Sequence, residues 1–144
     1  MIPTSVADLK WLDTITGDQP VLVVAEGVVQ YLTVADRDAL FTRIVEQFRG
    51  GEIIFDAYGR ATTGVLNLVL RLQRTGLRLY GPLKDGHEIE QHVPRLRLLS
   101  VVPFLTLPEM VPLLIHSKAQ GWIYRRMERW KWYRDSMQHF RYEF

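Results

Sequence analysis

The stretch Pro20–Leu32, PVLVVAEGVVQYL, constrains this chain more than any other. An apolar run, Val21, Leu22, Val23, Val24 and Ala25, stops abruptly at an acid and a glycine, Glu26-Gly27. Such a run suits a strand buried on both faces, and hence a parallel sheet covered by helices. In open α/β sheets, ligands bind just beyond the carboxyl ends of the strands. Glu26 therefore stands where a small-molecule site would be built, and Gly27 would let a ligand approach the backbone. A solvated strand-end glutamate is the plainer reading of the same two residues.

The following segments keep a strand–helix rhythm. Thr33 offers a helix N-cap, with Asp36 three residues on as a shortened capping box. Leu40, Phe41, Ile44, Val45 and Phe48 recur at helical spacing, which predicts an amphipathic helix over 34–48. Gly50-Gly51 supplies its stop. A second short strand is expected over Ile53–Ala57, ending at Asp56. Val65, Leu66, Leu68, Val69, Leu70 and Leu72 predict a largely buried helix over 61–75. Strand, helix, strand, helix with short connections is the pattern of a parallel sheet with right-handed crossovers.

On either side of this unit the pattern is looser. Residues 1–19 read as a loop with a short helical piece from Asp8 to Ile15. Residues 77–95 form a surface excursion with a short helix at 87–92. Leu96–Leu105 returns to strand, with Pro103 marking an edge or an end. Residues 109–131 read as helix. The closing HFRYEF alternates aromatic and polar residues, as a final strand at a sheet edge or beside one would.

Several function classes drop out. At 144 residues the expectation is one domain. A net charge of +2 gives no argument for a polyanionic partner. The absence of cysteine excludes disulfides, Cys-ligated zinc and Cys nucleophiles. No serine sits in a nucleophile elbow. His87 and His92, with Glu88 and Glu90 nearby, are five apart and do not share a helical face, so they read as surface histidines, as do His116 and His139. The tail 118–144 interleaves aromatics with arginine and lysine. It reads as a helix packing its aromatics on the sheet, not as a surface for nucleic acid or membrane. The opening residues lack the basic start and apolar core of a signal peptide. No apolar run approaches the roughly 20 residues of a membrane span. A soluble, cytoplasmic protein is expected.

Two carboxylates remain as candidates. Glu26 and Asp56 both fall at the carboxyl ends of predicted strands, and on neighbouring strands they would line one rim, as a ligand clamp or a base. The alternative is two separate strand-end acids. No G-x-G or Walker pattern occurs anywhere, so the phosphate- or cofactor-holding first half of an α/β nucleotide site is missing from the pattern.

PVLVVAEGVVQYL, the capped helix after it and FRGGEIIFDAYG together resemble the second half of the leucine carboxyl methyltransferase family. That family includes polyketide O-methyltransferases of the tetracenomycin type and uses S-adenosylmethionine. The opening PTSVADLKWLD resembles the family's segment after the third strand, LYGPLKDGHEIEQHVPRLRLL its later glycine-containing excursion and sixth strand, and HFRYEF its last strand, so the resemblance covers nearly the whole chain. It implies the second half of a Rossmann-like fold, a partly parallel sheet with helices on both faces and a final antiparallel strand, as the C-terminal half of a methyltransferase domain over 1–144.

By resemblance, Ser5 and Val6, with Asp8, occupy the loop that contacts the adenine ring. Many members carry an acid there where this chain has Ser5. Glu26 borders the S-adenosylmethionine pocket, Gly27 keeps the backbone low beside it, and Tyr31 faces the substrate side. The acceptor would be a small molecule or carboxyl-bearing group. In the family the strand 21–25 pairs with the first strand, and the glycine-rich loop and substrate lid lie in the N-terminal part. The expectation is a chain inactive alone that needs its N-terminal half, a complementary chain or a homo-oligomer. The competing reading is a non-catalytic remnant that acts as a protein-association module.

Overall fold

A computed structural model describes residues 4–109 and 111–144. Four strands, β1 Val21–Ala25, β2 Gly51–Tyr58, β3 Arg97–Pro103 and β4 Met137–Glu143, form one sheet in the order β1-β2-β4-β3. β1 runs parallel to β2, with Val21 opposite Gly51 and Ala25 opposite Phe55. β4 enters antiparallel between β2 and β3. The sheet is therefore the mixed α/β arrangement expected, with the closing strand beside the edge strand β3.

The helix between β1 and β2, α1 (Val34–Gln47), begins as its sequence dictates. The Thr33 hydroxyl accepts from the Asp36 N–H at 3.1 Å and donates to the Asp36 carboxylate at 2.6 Å. Leu40, Phe41, Ile44 and Val45 face inward and pack on one face of the sheet, against Ile53, Phe55, Phe140 and Tyr142. The centre is aromatic. The Phe55 ring lies 5.5 Å from Phe140, 5.8 Å from Tyr142 and 5.3 Å from Phe41.

A short helix, α3 (His87–His92), closes this core through Ile89, with Leu83, Val93 and Leu96 around it. The buried Tyr142 hydroxyl donates to the Gly86 carbonyl at 2.6 Å. Burial pushes its pKa well above the usual phenol range, and the nearby Glu90 adds to the effect. Asp38 joins α1 to α3: it pairs with the buried Arg37 at 2.7 Å and with His92 at 2.6 Å.

Three expectations change here. β1 is not buried on both faces: Val21, Val23 and Ala25 pack on the core, while Leu22 and Val24 are 63% and 64% exposed. The strand lies at the sheet edge, and α1 covers only one side. The helix α2 (Arg60–Leu72) is not largely buried either; Thr63 is its only buried residue, and most of its apolar residues face water. The single helix expected over 109–131 is two pieces, α4 Val111–Leu114 and α5 Lys118–Met127, and a third helix, α6 Lys131–Arg134, starts only at its last residue. Ser117 restarts the chain as an N-cap by accepting from the Gln120 N–H at 3.2 Å, and extended backbone at Trp130 separates α5 from α6. Met110, inside the predicted helix, lies outside the described residues.

Candidate functional site

The site is built where β1 and β2 end side by side. After Ala25 the chain turns through Gly27 at φ +66°, a left-handed conformation that glycine adopts without a Cβ penalty. The Gly27 N–H donates to Asp56 Oδ1 at 2.6 Å. Asp56, near the end of β2, is 2% exposed. Asp56 is thus committed to holding the turn, whereas Glu26 stays exposed at the rim. The two predicted carboxylates do share one rim, in different roles.

Glu26 and Asp56 border a pocket of about 300 Å³ at the carboxyl ends of β1 and β2. Val24 and Ile54 form its floor, and Phe104, Met137 and His139 its far side. His139 faces Asp56 across the β2–β4 register. Its ring meets Phe104 edge-on at 5.1 Å. The pocket combines an apolar floor with an acid at the mouth. It can take an apolar group while Glu26 accepts from hydroxyl or amino donors at the rim.

Behind the turn, the 3-10 segment Val29–Tyr31 buries Gln30. The Gln30 carbonyl accepts from the Tyr80 N–H at 2.7 Å. Its side-chain Oε1 is buried with no partner, and its Nε2 lies 3.8 Å from where a Cβ on Gly27 would stand. A buried amide with spare accepting capacity therefore backs the turn. Tyr31 is 46% exposed. Nearby Tyr58 has its phenol pKa raised, first by burial, then by the charges of Asp56 and Tyr31. Tyr58 thus remains a hydroxyl donor beside the rim at neutral pH.

Ser5, Val6 and Asp8 sit in the turn leading to the 3-10 helix Leu9–Thr14. The Ser5 carbonyl accepts from the Asp8 N–H at 3.0 Å, and the Val6 carbonyl from Trp11 Nε1 at 3.3 Å. None of the three borders the Glu26 pocket; nor does Tyr31. Glu26, Gly27 and Asp56 are brought together, while the N-terminal turn forms a separate surface.

The sequence reading missed His139, Phe104, Tyr58 and Gln30. Strand alternation could have flagged Tyr58, two residues beyond Asp56 on the same face. His139 needed the β2–β4 register, which no local pattern carries. His87 and His92 point to different carboxylates, Glu90 and Asp38, each at 2.6 Å. Among the described residues no three His, Cys, Asp or Glu side chains gather as a metal site.

No family model matches this sequence. Curated proteins do match it. The tetracenomycin polyketide synthesis O-methyltransferase TcmP of Streptomyces glaucescens is 34% identical over 97 residues, covering 67% of this chain and 36% of that protein. The S-adenosyl-L-methionine-dependent methyltransferase dpfgK of Gibberella zeae is 37% identical over 98 residues, covering 62% and 33%. The chain thus spans about a third of the length of these relatives.

Among solved structures, a putative methyltransferase from Thermobifida fusca superposes with a TM-score of 0.59 at 12% identity, over 96% of this chain and 51% of that one. A duf574 family protein from Streptomyces avermitilis gives 0.58 at 12% identity, over 96% and 52%. At that identity the two speak for the fold alone. By sequence, the chain that carries AEGVVQYL and GGEIIFD resembles the leucine carboxyl methyltransferase family and its tetracenomycin-type O-methyltransferases.

Proposed function

We propose that this chain forms one wall of the cofactor site of an S-adenosylmethionine-dependent O-methyltransferase with a carboxyl or hydroxyl acceptor, as the C-terminal half of the catalytic domain. One observation carries the reading: the Glu26-Gly27 turn, tied by the 2.6 Å bond from the Gly27 N–H to Asp56, ends an edge strand of a methyltransferase-like sheet. The residues present fit one side of such a site. Glu26 offers an exposed carboxylate, the pocket floor is apolar, and Gln30 holds an unpartnered buried oxygen behind the turn.

In this reading Glu26 and Gly27 face the cofactor and Tyr31 the substrate. Ser5, Val6 and Asp8 form the turn beside the adenine. S-adenosylmethionine, when bound, would supply the methyl group from its sulfonium. This chain's share of catalysis is to fix position and exclude water, since methyl transfer depends mainly on holding the two reactants in line. The other wall would come from an N-terminal half, a complementary chain or a second subunit. The open edge of β1 and the exposed Leu22 and Val24 support that need. They also favour the second reading, a module that uses this edge for protein association without catalysis.

The test is titration calorimetry with S-adenosylmethionine, on the chain alone and mixed with a segment carrying a glycine-rich loop, followed by a methyl-transfer assay. The chain alone should show no micromolar binding. The mixture should bind and transfer, and Glu26→Gln should weaken cofactor binding about tenfold, or ~1.4 kcal/mol. Micromolar binding by the isolated chain would overturn the half-site reading. A mixture that assembles but neither binds nor transfers would favour the association module.

A further inference from the structure

The sequence of α2 asks for cover that the described residues do not give it. Its inner face is pinned: Asn67 Nδ2 donates to the Leu79 carbonyl at 2.9 Å, and Asn67 Oδ1 accepts from the Leu79 N–H at 2.8 Å. With Thr63 buried on the same side, this clamp fixes which way the helix faces. The opposite side carries Val65, Leu68, Val69 and Leu72 at i, i+3, i+4 and i+7. They are 63%, 57%, 40% and 73% exposed. Leu66 and Leu70 lie half-buried on the inner side, and a helix with apolar residues on both sides is ordinarily a buried helix.

Charge narrows the choice of what covers it. Between Asp56 and Asp85 the sequence holds Arg60, Arg71, Arg74, Arg78 and Lys84 and no acid. Among the described residues none of these five forms an ion pair. Arg71, Arg74 and Arg78 gather at one end of the stripe, bordering with Leu68 and Leu77 a groove of about 820 Å³. Two copies of α2 laid parallel would set these arginines against each other, and laid antiparallel would set them by the partner copy's Arg60, with no acid between Asp56 and Asp85 to pair them. A membrane-surface helix would spread its cations along the polar flank, yet the mid-helix flank is Thr62 and Gly64.

We infer that the outer face of α2 is a docking surface for an amphipathic helix with acidic flanks, contributed from outside these 144 residues. Its apolar ridge would lie on Val65, Leu68, Val69 and Leu72, and its carboxylates would reach Arg71, Arg74 and Arg78. The stripe from Ala61 to Leu72 is roughly 17 Å long at 1.5 Å per residue, enough for about three turns of a partner. This surface is distinct from the Glu26 pocket, and its test does not depend on cofactor binding.

The experiment is fluorescence anisotropy of a labelled 18-residue helical peptide, leucine at i, i+3, i+4 and i+7 with glutamate flanks, titrated with the 144-residue chain. A lysine-flanked twin serves as control. The glutamate peptide should bind saturably and at least tenfold tighter than its twin. Leu68→Asp with Leu72→Asp should weaken it tenfold or more. Arg71→Glu with Arg74→Glu should reverse the preference between the two peptides. Leu22→Asp, on a separate exposed apolar surface, should change nothing. The substituted positions are solvent-exposed, and unchanged circular dichroism checks the fold.

Equal binding of the two peptides, or binding indifferent to Leu68→Asp, would overturn the inference. So would a dimer in sedimentation velocity that Leu68→Asp dissociates. Binding to 3:1 phosphatidylcholine–phosphatidylserine vesicles that Leu68→Asp abolishes would instead assign the face to a membrane surface and overturn it as well.

Discussion

Replacing Tyr142 by Phe should give a protein that is less stable at neutral pH and yet less sensitive to alkali. Tyr142 has no exposed surface, and its hydroxyl donates to the Gly86 carbonyl at 2.6 Å. Removing the hydroxyl leaves that carbonyl without its donor, which costs about 1–3 kcal/mol. The ring remains, so its stack on Phe55 at 5.8 Å is kept and no large cavity term enters. The pH effect has the opposite sign. Burial holds the folded-state pKa well above the ordinary phenol value, whereas in the unfolded chain the group ionises near ~10.

The fold therefore prefers the neutral hydroxyl, and that preference is fully present below the unfolded pKa. It is lost as pH rises from there through the folded pKa, at about 1.4 kcal/mol per pH unit. Phe has nothing to ionise. By about pH 11 the native protein should have given up ~1.4 kcal/mol that the variant keeps. A deficit of about 2 kcal/mol at neutral pH would then shrink to well under 1. Urea unfolding followed by tryptophan fluorescence at the two pH values measures both numbers, provided the slopes agree. A deficit of the same size at both would refute the account of Tyr142, because it would mean that the phenol ionises equally easily folded and unfolded.

Substitutions at two further positions probe the site and its supports. Asp56→Ala removes the acceptor of the Gly27 N–H and should cost about 1.5–3 kcal/mol, as a bond to a charged group does. Asp56→Asn, which keeps an oxygen in place, should cost about 1; equal denaturant midpoints for the two variants would show that the bond does not hold the turn. Gly59→Ala would set a Cβ against the Asp135 carbonyl oxygen, inside van der Waals contact. That should cost about 1–3 kcal/mol by prising the start of α2 from the turn before β4, and an unchanged melting temperature would contradict the close approach.

Much of the fold is visible in local sequence, because local chemistry decides it. The Thr33 cap, the inward stripe of α1 and the six-residue α3 depend on neighbours within a turn or two. Two of the errors, those over β1 and α2, have a common cause. Periodicity shows which residues seek cover but not what covers them, so β1 and α2 read as buried when each has one face open to water. The site was half legible for a related reason. Glu26 and Asp56 end runs that can be seen in the sequence, and parallel pairing of consecutive strands brings them together. His139 joins them only through β4, which the order of elements along the chain does not place next to β2.

The placement of β4 also bears on how the protein is made. Glu52 and Arg141, joined across β2 and β4, are 89 residues apart in sequence. A ribosome needs on the order of ten seconds to traverse that distance. Throughout that interval β1 and β2 can pair, but the far side of β2 is a bare row of amides and carbonyls with Ile53 and Phe55 along it. The nascent chain thus exposes for seconds the edge that becomes the middle of its sheet. A binder that shields extended apolar backbone during synthesis should raise the yield of folded protein more than one acting after release.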